Sequence, residues 1–253
     1  MPPILEIKSL NKRFGGITAV KDFNLQIDKG EILGLIGPNG AGKTTLFNLI
    51  TGFTKPDSGT VILKGKNITK LKPHKIANMG MTRTFQLVKP FKRMLTVENV
   101  AVAFFSERAK KRRKGNEDVP SKTLEALRRV EIIPPPTNIF KMAGELSHGY
   151  SKRLDIARAL VLEPDVLLLD EPFGGLGLKE TTMMTSLIQR LHKEEGLTIV
   201  IVEHKMRELV KLVKRLIVMH FGEKIAEGTP QEIAENAKVC EAYLGKEGGR
   251  LIA

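Results

Sequence analysis

Apolar residues recur at every second position near the start of the chain. Leu5-Glu6-Ile7 and Phe23-Asn24-Leu25-Gln26-Ile27 each send one side chain in and the next out, a period that predicts half-buried antiparallel strands. The stretches 31–36, 166–169 and 198–202 are instead short and almost unbroken apolar runs. Central strands of a parallel sheet, covered on both faces, have that character. A helix is predicted from Lys43, with Leu46, Phe47, Leu49 and Ile50 on its buried side and Gly52 past its end. Ile217-Val218-Met219 and Lys224-Ile225-Ala226 read as a hairpin about Phe221-Gly222. Thr229-Pro230-Gln231-Glu232 matches a capping box that opens a short helix. Over 87–163 the strand pattern fades, and 124–130 and 154–162 show helical spacing. The expectation is an α/β fold with a mostly parallel sheet and an N-terminal antiparallel β subdomain. A helical subdomain, 87–163, is inserted between 1–86 and 164–253, the two parts of one core.

Composition narrows the partners. The 253 residues, 42% of them hydrophobic, suffice for one large domain or two small ones. Lys plus Arg, 41, exceed Asp plus Glu, 28, leaving a formal charge of +13. Nucleotide, nucleic acid or the phosphate face of a membrane would all suit such an excess. A single cysteine, Cys240, excludes an internal disulfide framework and a cysteine-built zinc cluster, so a reducing compartment is expected. The start, Met1-Pro2-Pro3-Ile4-Leu5-Glu6, shows no secretory signal. No apolar run approaches the ~18 residues of a spanning helix, so a soluble chain is expected. The basic run Arg108-Ala109-Lys110-Lys111-Arg112-Arg113-Lys114 reads as a solvated loop, with attraction to anionic lipid headgroups as a second reading. Aromatics are 5% with no Trp, which argues against a base-stacking nucleic-acid platform. Pro134-Pro135-Pro136 is a rigid stretch within the same region.

The chemistry concentrates at Gly37-Pro38-Asn39-Gly40-Ala41-Gly42-Lys43-Thr44, followed by Thr45. It matches G-x-x-x-x-G-K-[ST] in full, after a predicted strand and before a predicted helix. Glycines let backbone N–H groups turn inward around phosphate oxygens, and the helix N-terminus adds positive potential. Lys43 then reaches the β- and γ-phosphates and the Thr44 hydroxyl holds Mg²⁺. The loop makes this a P-loop NTPase core. Val166-Leu167-Leu168-Leu169-Asp170-Glu171 supplies its partner. Asp170, at the carboxyl end of a buried strand, is placed to hold Mg²⁺, and Glu171 to orient and deprotonate the attacking water.

With these motifs in order, the chain resembles the nucleotide-binding subunits of ATP-binding-cassette (ABC) transporters over essentially its whole length. The resemblance implies that Phe14 stacks on adenine. It implies that Gln86, in Thr82-Arg83-Thr84-Phe85-Gln86, contacts Mg²⁺ and water beside a transmembrane partner. His204, after Ile201-Val202-Glu203, takes the place of the switch histidine at the γ-phosphate. Leu146-Ser147-His148-Gly149-Tyr150 stands at the family signature L-S-G-G-Q. In the family, the N-terminal end of the helix that follows this signature faces the ATP bound by the opposite subunit, so ATP joins two head-to-tail domains. Three departures stand out: His148 for glycine, Tyr150 for glutamine, and Gly177 where the D-loop carries Asp. A glycine-only backbone at 148 would not accept the histidine side chain.

Thr82-Arg83-Thr84-Phe85-Gln86, the long insert up to Ser147, Ile201-Val202-Glu203-His204-Lys205-Met206, Ala226-Glu227-Gly228-Thr229-Pro230 and Glu241-Ala242-Tyr243-Leu244-Gly245 resemble branched-chain amino acid importers. Lys205 departs from the acidic residue usual there, and importers of urea and short-chain amides carry related motifs. The resemblance implies an ATPase with ATP and Mg²⁺, at the cytoplasmic face of the membrane. Its expected partners are a second ABC ATPase, identical or paralogous, two integral membrane permeases and, indirectly, a solute-binding protein. A nucleic-acid-associated ABC ATPase is the reading from another class. A non-hydrolysing regulatory module is a third, opposed by the presence of both Glu171 and His204.

Overall fold

The computed structural model describes residues 2–112, 118–132 and 139–244. Arg113, Lys114, the Pro134-Pro135-Pro136 stretch and Gly245 lie outside them. The chain opens with β1 (Leu5–Phe14) and β2 (Ile17–Ile27), paired antiparallel with Leu5 opposite Ile27 and Ile7 opposite Leu25. Both strands run further than the alternation predicts. A register shift between Ile7 and Leu10, with Ser9 at φ +44°, explains why: the bulge returns Leu10 to the buried side and hides the period of two. β3 (Ile32–Ile36) and α1 (Lys43–Ile50) follow. β4 (Ser58–Leu63) and the two-residue β5 (Lys66–Asn67) complete an antiparallel sheet of order β2-β1-β4-β5.

After α2 (Pro73–Met79) and the short β6 (Met81–Arg83) comes a helical stretch: α3 (Thr96–Ala101), α4 (Glu107–Arg112), α5 (Val119–Arg129) and α6 (His148–Leu160). α5 starts five residues earlier than its apolar spacing predicts, because the Asp118 side chain caps it by accepting the Ser121 N–H. β7 (Val166–Asp170), α7 (Leu178–Glu195), β8 (Thr198–Val202), α8 (Met206–Leu209), β9 (Arg215–His220) and β10 (Glu223–Gly228) return to the core. The chain ends in α9 (Pro230–Glu235), with the predicted Thr229–Glu232 capping box, and α10 (Ala237–Leu244).

The larger sheet has the order β10-β9-β3-β8-β7-β6. Its pairs are parallel except β10 on β9, the predicted edge hairpin. Every residue of β3, β7 and β8 is buried, and alternate side chains serve two cores. Ile36, Leu167, Leu169, Ile199 and Ile201 face α5, α6 and α7. Leu33, Leu35, Leu168, Val200 and Val202 face α1 and the antiparallel sheet. Coverage on both faces is what makes these strands read as unbroken apolar runs. It also leaves their carboxyl ends as the edge where polar groups collect.

Candidate active site

β3 ends at Ile36 and α1 begins at Lys43, so 37–42 form the predicted loop between them. Gly42, the N-cap of α1, has φ +101°, and a Cβ there would collide with the Ala19 carbonyl oxygen of β2. Only glycine fits that left-handed backbone at that approach. Pro38, Asn39 and Gly40 form the open outer turn, while Ala41 is buried and its carbonyl accepts the Gly222 N–H from the β9–β10 turn. No acidic residue occupies the first turn of α1, so its free N–H groups keep their positive potential for an anion. Lys43, 8% exposed, folds its Nζ onto the carbonyl oxygens of Gly37 and Pro38 at 2.6 and 2.9 Å. Burial pushes its ammonium below the ordinary lysine range, and Glu171 and Asp170 pull it back up. Thr44 is exposed and Thr45 half-buried.

Asp170 is the last residue of β7 and 3% exposed. A charge so buried needs a partner, and Arg83 of β6 provides it, Nη2 to Oδ2, at 2.6 Å. The same guanidinium donates to Asn48 of α1 at 2.6 Å and lies between the Phe47 and Phe85 rings. Arg83 thus ties α1, β6 and β7 together. Thr44, Gln86 and Asp170 line one cleft of about 710 Å³, with Asn48, Phe53 and Asp155. After Arg83 has taken Oδ2, the second Asp170 oxygen, the Thr44 hydroxyl and the Gln86 amide oxygen remain available among the described residues. All are hard oxygen donors, the set Mg²⁺ prefers. No cluster of three His, Cys, Asp or Glu side chains that could hold a metal occurs among the described residues. Such a set suits an ion held jointly by one or two protein oxygens and substrate phosphates.

The three candidate catalytic side chains meet at one oxygen. Glu171 Oε2 accepts the Gln86 Nε2–H at 2.8 Å and lies 3.8 Å from His204 Nδ1. His204 is 54% exposed, free to meet a ligand, while its backbone is pinned. Buried Glu203 accepts the N–H groups of His204 and Lys205 on one oxygen, at 3.0 and 3.2 Å. Its other oxygen accepts the Phe173 N–H at 2.7 Å. Burial pushes the Glu203 carboxyl up and those three N–H donors oppose the shift.

Ser147 is the N-cap of α6 and its hydroxyl accepts the Tyr150 N–H at 3.4 Å. Ser147 and His148 are exposed. No hydrogen bond among the described residues links Ser147, His148, Gly149 or Tyr150 to the 37–44 loop of the same chain. The expected conflict at His148 does not arise. As the first residue of α6 it has ordinary helical backbone, and its Nε2 lies 3.1 Å from the Gly174 carbonyl oxygen. The close approach falls one residue later, where a Cβ on Gly149 would strike the Glu180 carboxylate of α7. Gly177 caps α7, its N–H donating to Glu180. Phe14 ends β1 and is 51% exposed, with Lys12 Nζ over its ring at 5.3 Å from the centroid.

The basic run departs from its reading as a solvated loop. Through Arg112 it belongs to α4, and Arg108 is only 9% exposed. Its guanidinium donates to the Leu162 and Glu163 carbonyls just past the end of α6, and pairs with Asp165. There it satisfies carbonyls of the turn that follows the helix, near the negative end of the helix dipole. Lys110, Lys111 and Arg112 are exposed as expected. Motif reading also passes over Arg83, Lys152 and Glu203 as site residues. The one sequence signal for Lys152 is a lysine on the face of α6 that also carries Gly149 and Ile156, both buried.

Comparison with known proteins agrees with this architecture. The family model described as ABC transporter matches residues 20–174. A second, described as branched-chain amino acid ATP-binding cassette transporter, matches 223–249. The chain is 38% identical to the high-affinity branched-chain amino acid transport ATP-binding protein BraF of Pseudomonas aeruginosa, covering 96% of this chain and 98% of the relative. It is 40% identical, with the same coverage, to the corresponding LivG protein of Escherichia coli K12. Among solved structures, a nucleotide-free ATP-binding cassette from an ABC transporter superposes with a TM-score of 0.85 at 30% identity, over 96% of this chain and all of that one. The dimeric structure of MJ0796, a bacterial ABC transporter cassette, gives 0.79 at 28% identity, over 89% and 98%. A phosphate loop, a buried strand-end aspartate beside a glutamate, and full-length likeness to such cassettes lead to one conclusion: the chain belongs to the ABC transporter family, among its ATP-hydrolysing, ATP-binding subunits.

Proposed function

We propose that this subunit hydrolyses ATP at the interface with a second ABC ATPase and thereby drives branched-chain amino acid import through two membrane permeases. The observation that carries the catalytic part is the meeting of Gln86, Glu171 and His204 around one carboxylate oxygen, beside the cleft that holds Thr44 and Asp170. The likeness to BraF and LivG supports the amino acid part. Lys43 and the loop N–H groups hold the triphosphate, and Phe14 stacks on the base. Thr44, Asp170 and Gln86 hold Mg²⁺, which supplies charge neutralisation at the phosphate oxygens. Glu171 takes the proton of the attacking water, and His204 contacts the γ-phosphate. Catalysis of this kind is positioning and charge stabilisation, with little covalent chemistry for the protein.

Ser147, His148, Gly149 and Tyr150 serve the partner's nucleotide; exposed Ser147 and His148 at the start of α6, with no hydrogen bond among the described residues from the four to this chain's own loop, support that reading. The partner is an identical chain or a paralogue, and the dimeric MJ0796 cassette is the precedent for such pairing. The units are an α/β core, 1–86 with 164–253, and the helical insert 87–163. The cleft between them, with exposed Phe53, Phe85 and Leu87, receives a permease. No helix among the described residues is long and apolar enough to cross a membrane, so those permeases hold the subunit at the cytoplasmic face. A solute-binding protein acts indirectly, upstream of them.

Two measurements test this reading. Cells lacking the chain are expected to lose energised uptake of labelled leucine, isoleucine and valine, while urea uptake is unchanged. Loss of urea uptake alone would move the subunit to the amide importers. In ATP-driven dimerisation, Ser147→Ala is expected to weaken closure at least fivefold. Loss of an N-cap hydroxyl already costs about 1 kcal/mol, and here the N–H groups it orders also face the partner's phosphate. His148→Gly is expected to close normally, since Ser147 and Gly149 remain. Intact closure of Ser147→Ala would sink the signature assignment.

A further inference from the structure

We propose that Lys152 is a positioning residue for hydrolysis: its ammonium, carried on α6, clamps the backbone of Glu171 in the left-handed conformation that presents the carboxylate to water. The inference rests on Glu171 being the general base. Glu171 has φ +49°, a region that a residue with a Cβ occupies only when its surroundings hold it there. Three hydrogen bonds do so. Its N–H donates to Val202 of β8 at 2.9 Å, and its carbonyl accepts the Gly174 N–H at 3.1 Å and Lys152 Nζ at 2.6 Å. Of the three, Lys152 alone comes from a side chain on the helical insert.

Lys152 is 5% exposed. Among the described residues its sole hydrogen-bond partner is that carbonyl, and no carboxylate lies within ion-pair distance of it. A buried ammonium is expensive to keep for packing alone, where an apolar side chain of the same length would serve. Burial pushes its pKa down, and the fields of Glu203, Glu171, Asp155 and Asp170 hold it up. Asp155, three residues further along α6 and so on the same face, accepts the Phe85 N–H next to Gln86 at 3.2 Å. One helix face therefore anchors both ends of the Gln86–Glu171 hydrogen bond. The N-terminus of that helix carries Ser147.

The test uses the assembled transporter and Lys152→Met, which keeps the stem and removes the donor. Single-turnover hydrolysis is expected to slow at least tenfold, while the Kd for ATP shifts less than threefold. In a Glu171→Gln background the same substitution is expected to cause no further loss. Hydrolysis at the wild-type rate in Lys152→Met would overturn the proposal. So would an equal loss in both backgrounds, since a residue acting only through the fold lowers each alike. Should Lys152→Met not fold, Lys152→Gln, whose shorter arm ends short of the carbonyl, is measured in the same two backgrounds: a tenfold loss confined to the Glu171 background supports the clamp, and a wild-type rate or an equal loss in both overturns it. Wild-type turnover by Glu171→Gln would instead remove the base assignment itself, whatever Lys152 does.

Discussion

Glu171→Gln is expected to lower steady-state ATP hydrolysis at least a hundredfold while leaving ATP affinity within about threefold. The amide is nearly isosteric, and its oxygen still accepts the Gln86 Nε2–H that Glu171 Oε2 accepts at 2.8 Å. Arg83 on Asp170 and Lys43 on its loop are untouched. What disappears is a group that takes a proton, and a positioned general base contributes about 10²–10⁴ in rate. A nucleotide that is bound but not cleaved keeps its bridging charge, so the paired cassettes accumulate in the closed state. Phosphate release and gel filtration with Mg²⁺-ATP check both halves. Near-normal turnover would remove Glu171 from its role, and normal binding without closure would remove the bridging role of ATP.

What the sequence made legible was local. The phosphate loop, the buried strand ending in Asp170, the Thr229–Glu232 capping box and the edge hairpin each lie within about ten residues, and short-range periodicity or turn chemistry specifies them. The family resemblance added Phe14, Gln86 and His204, whose roles no local pattern announces. The rest depends on distant pairs. Arg83 meets Asp170 across 87 residues, and Arg108 meets Leu162 across 54. Neither arginine differs in sequence from a solvated one until the fold brings an acceptor to it. Arg108 is the instructive case, since a run of basic residues hides one member that binds the Leu162 and Glu163 carbonyls beyond α6 and pairs with Asp165. β6 went unpredicted because three residues, Met81–Arg83, are too few to show a period. Backbone strain at Glu171 is likewise invisible to residue type, as left-handed glutamates carry no sequence mark.

Lys43→Ala is expected to have the second large effect, at the earlier step of nucleotide capture. The ammonium sits at the loop carbonyls of Gly37 and Pro38, 2.6 and 2.9 Å away. An entering triphosphate offers it charged oxygens in their place, and a hydrogen bond to a charged group is worth roughly 1.5–3 kcal/mol. Two such bonds to the β- and γ-phosphates amount to about 3 kcal/mol or more, a hundredfold in affinity. The loop glycines and α1 remain in Lys43→Ala, so the fold should hold and residual binding should persist through the backbone N–H groups. Equilibrium binding of Mg²⁺-ATP to the wild-type chain and to Lys43→Ala, read together with association of the cassettes, is therefore the most direct test. Tight binding and nucleotide-dependent pairing in the wild type, both reduced at least a hundredfold in the variant, are expected. Equal affinity in the two proteins, or pairing indifferent to ATP, would contradict a transporter subunit that works by closing on the triphosphate.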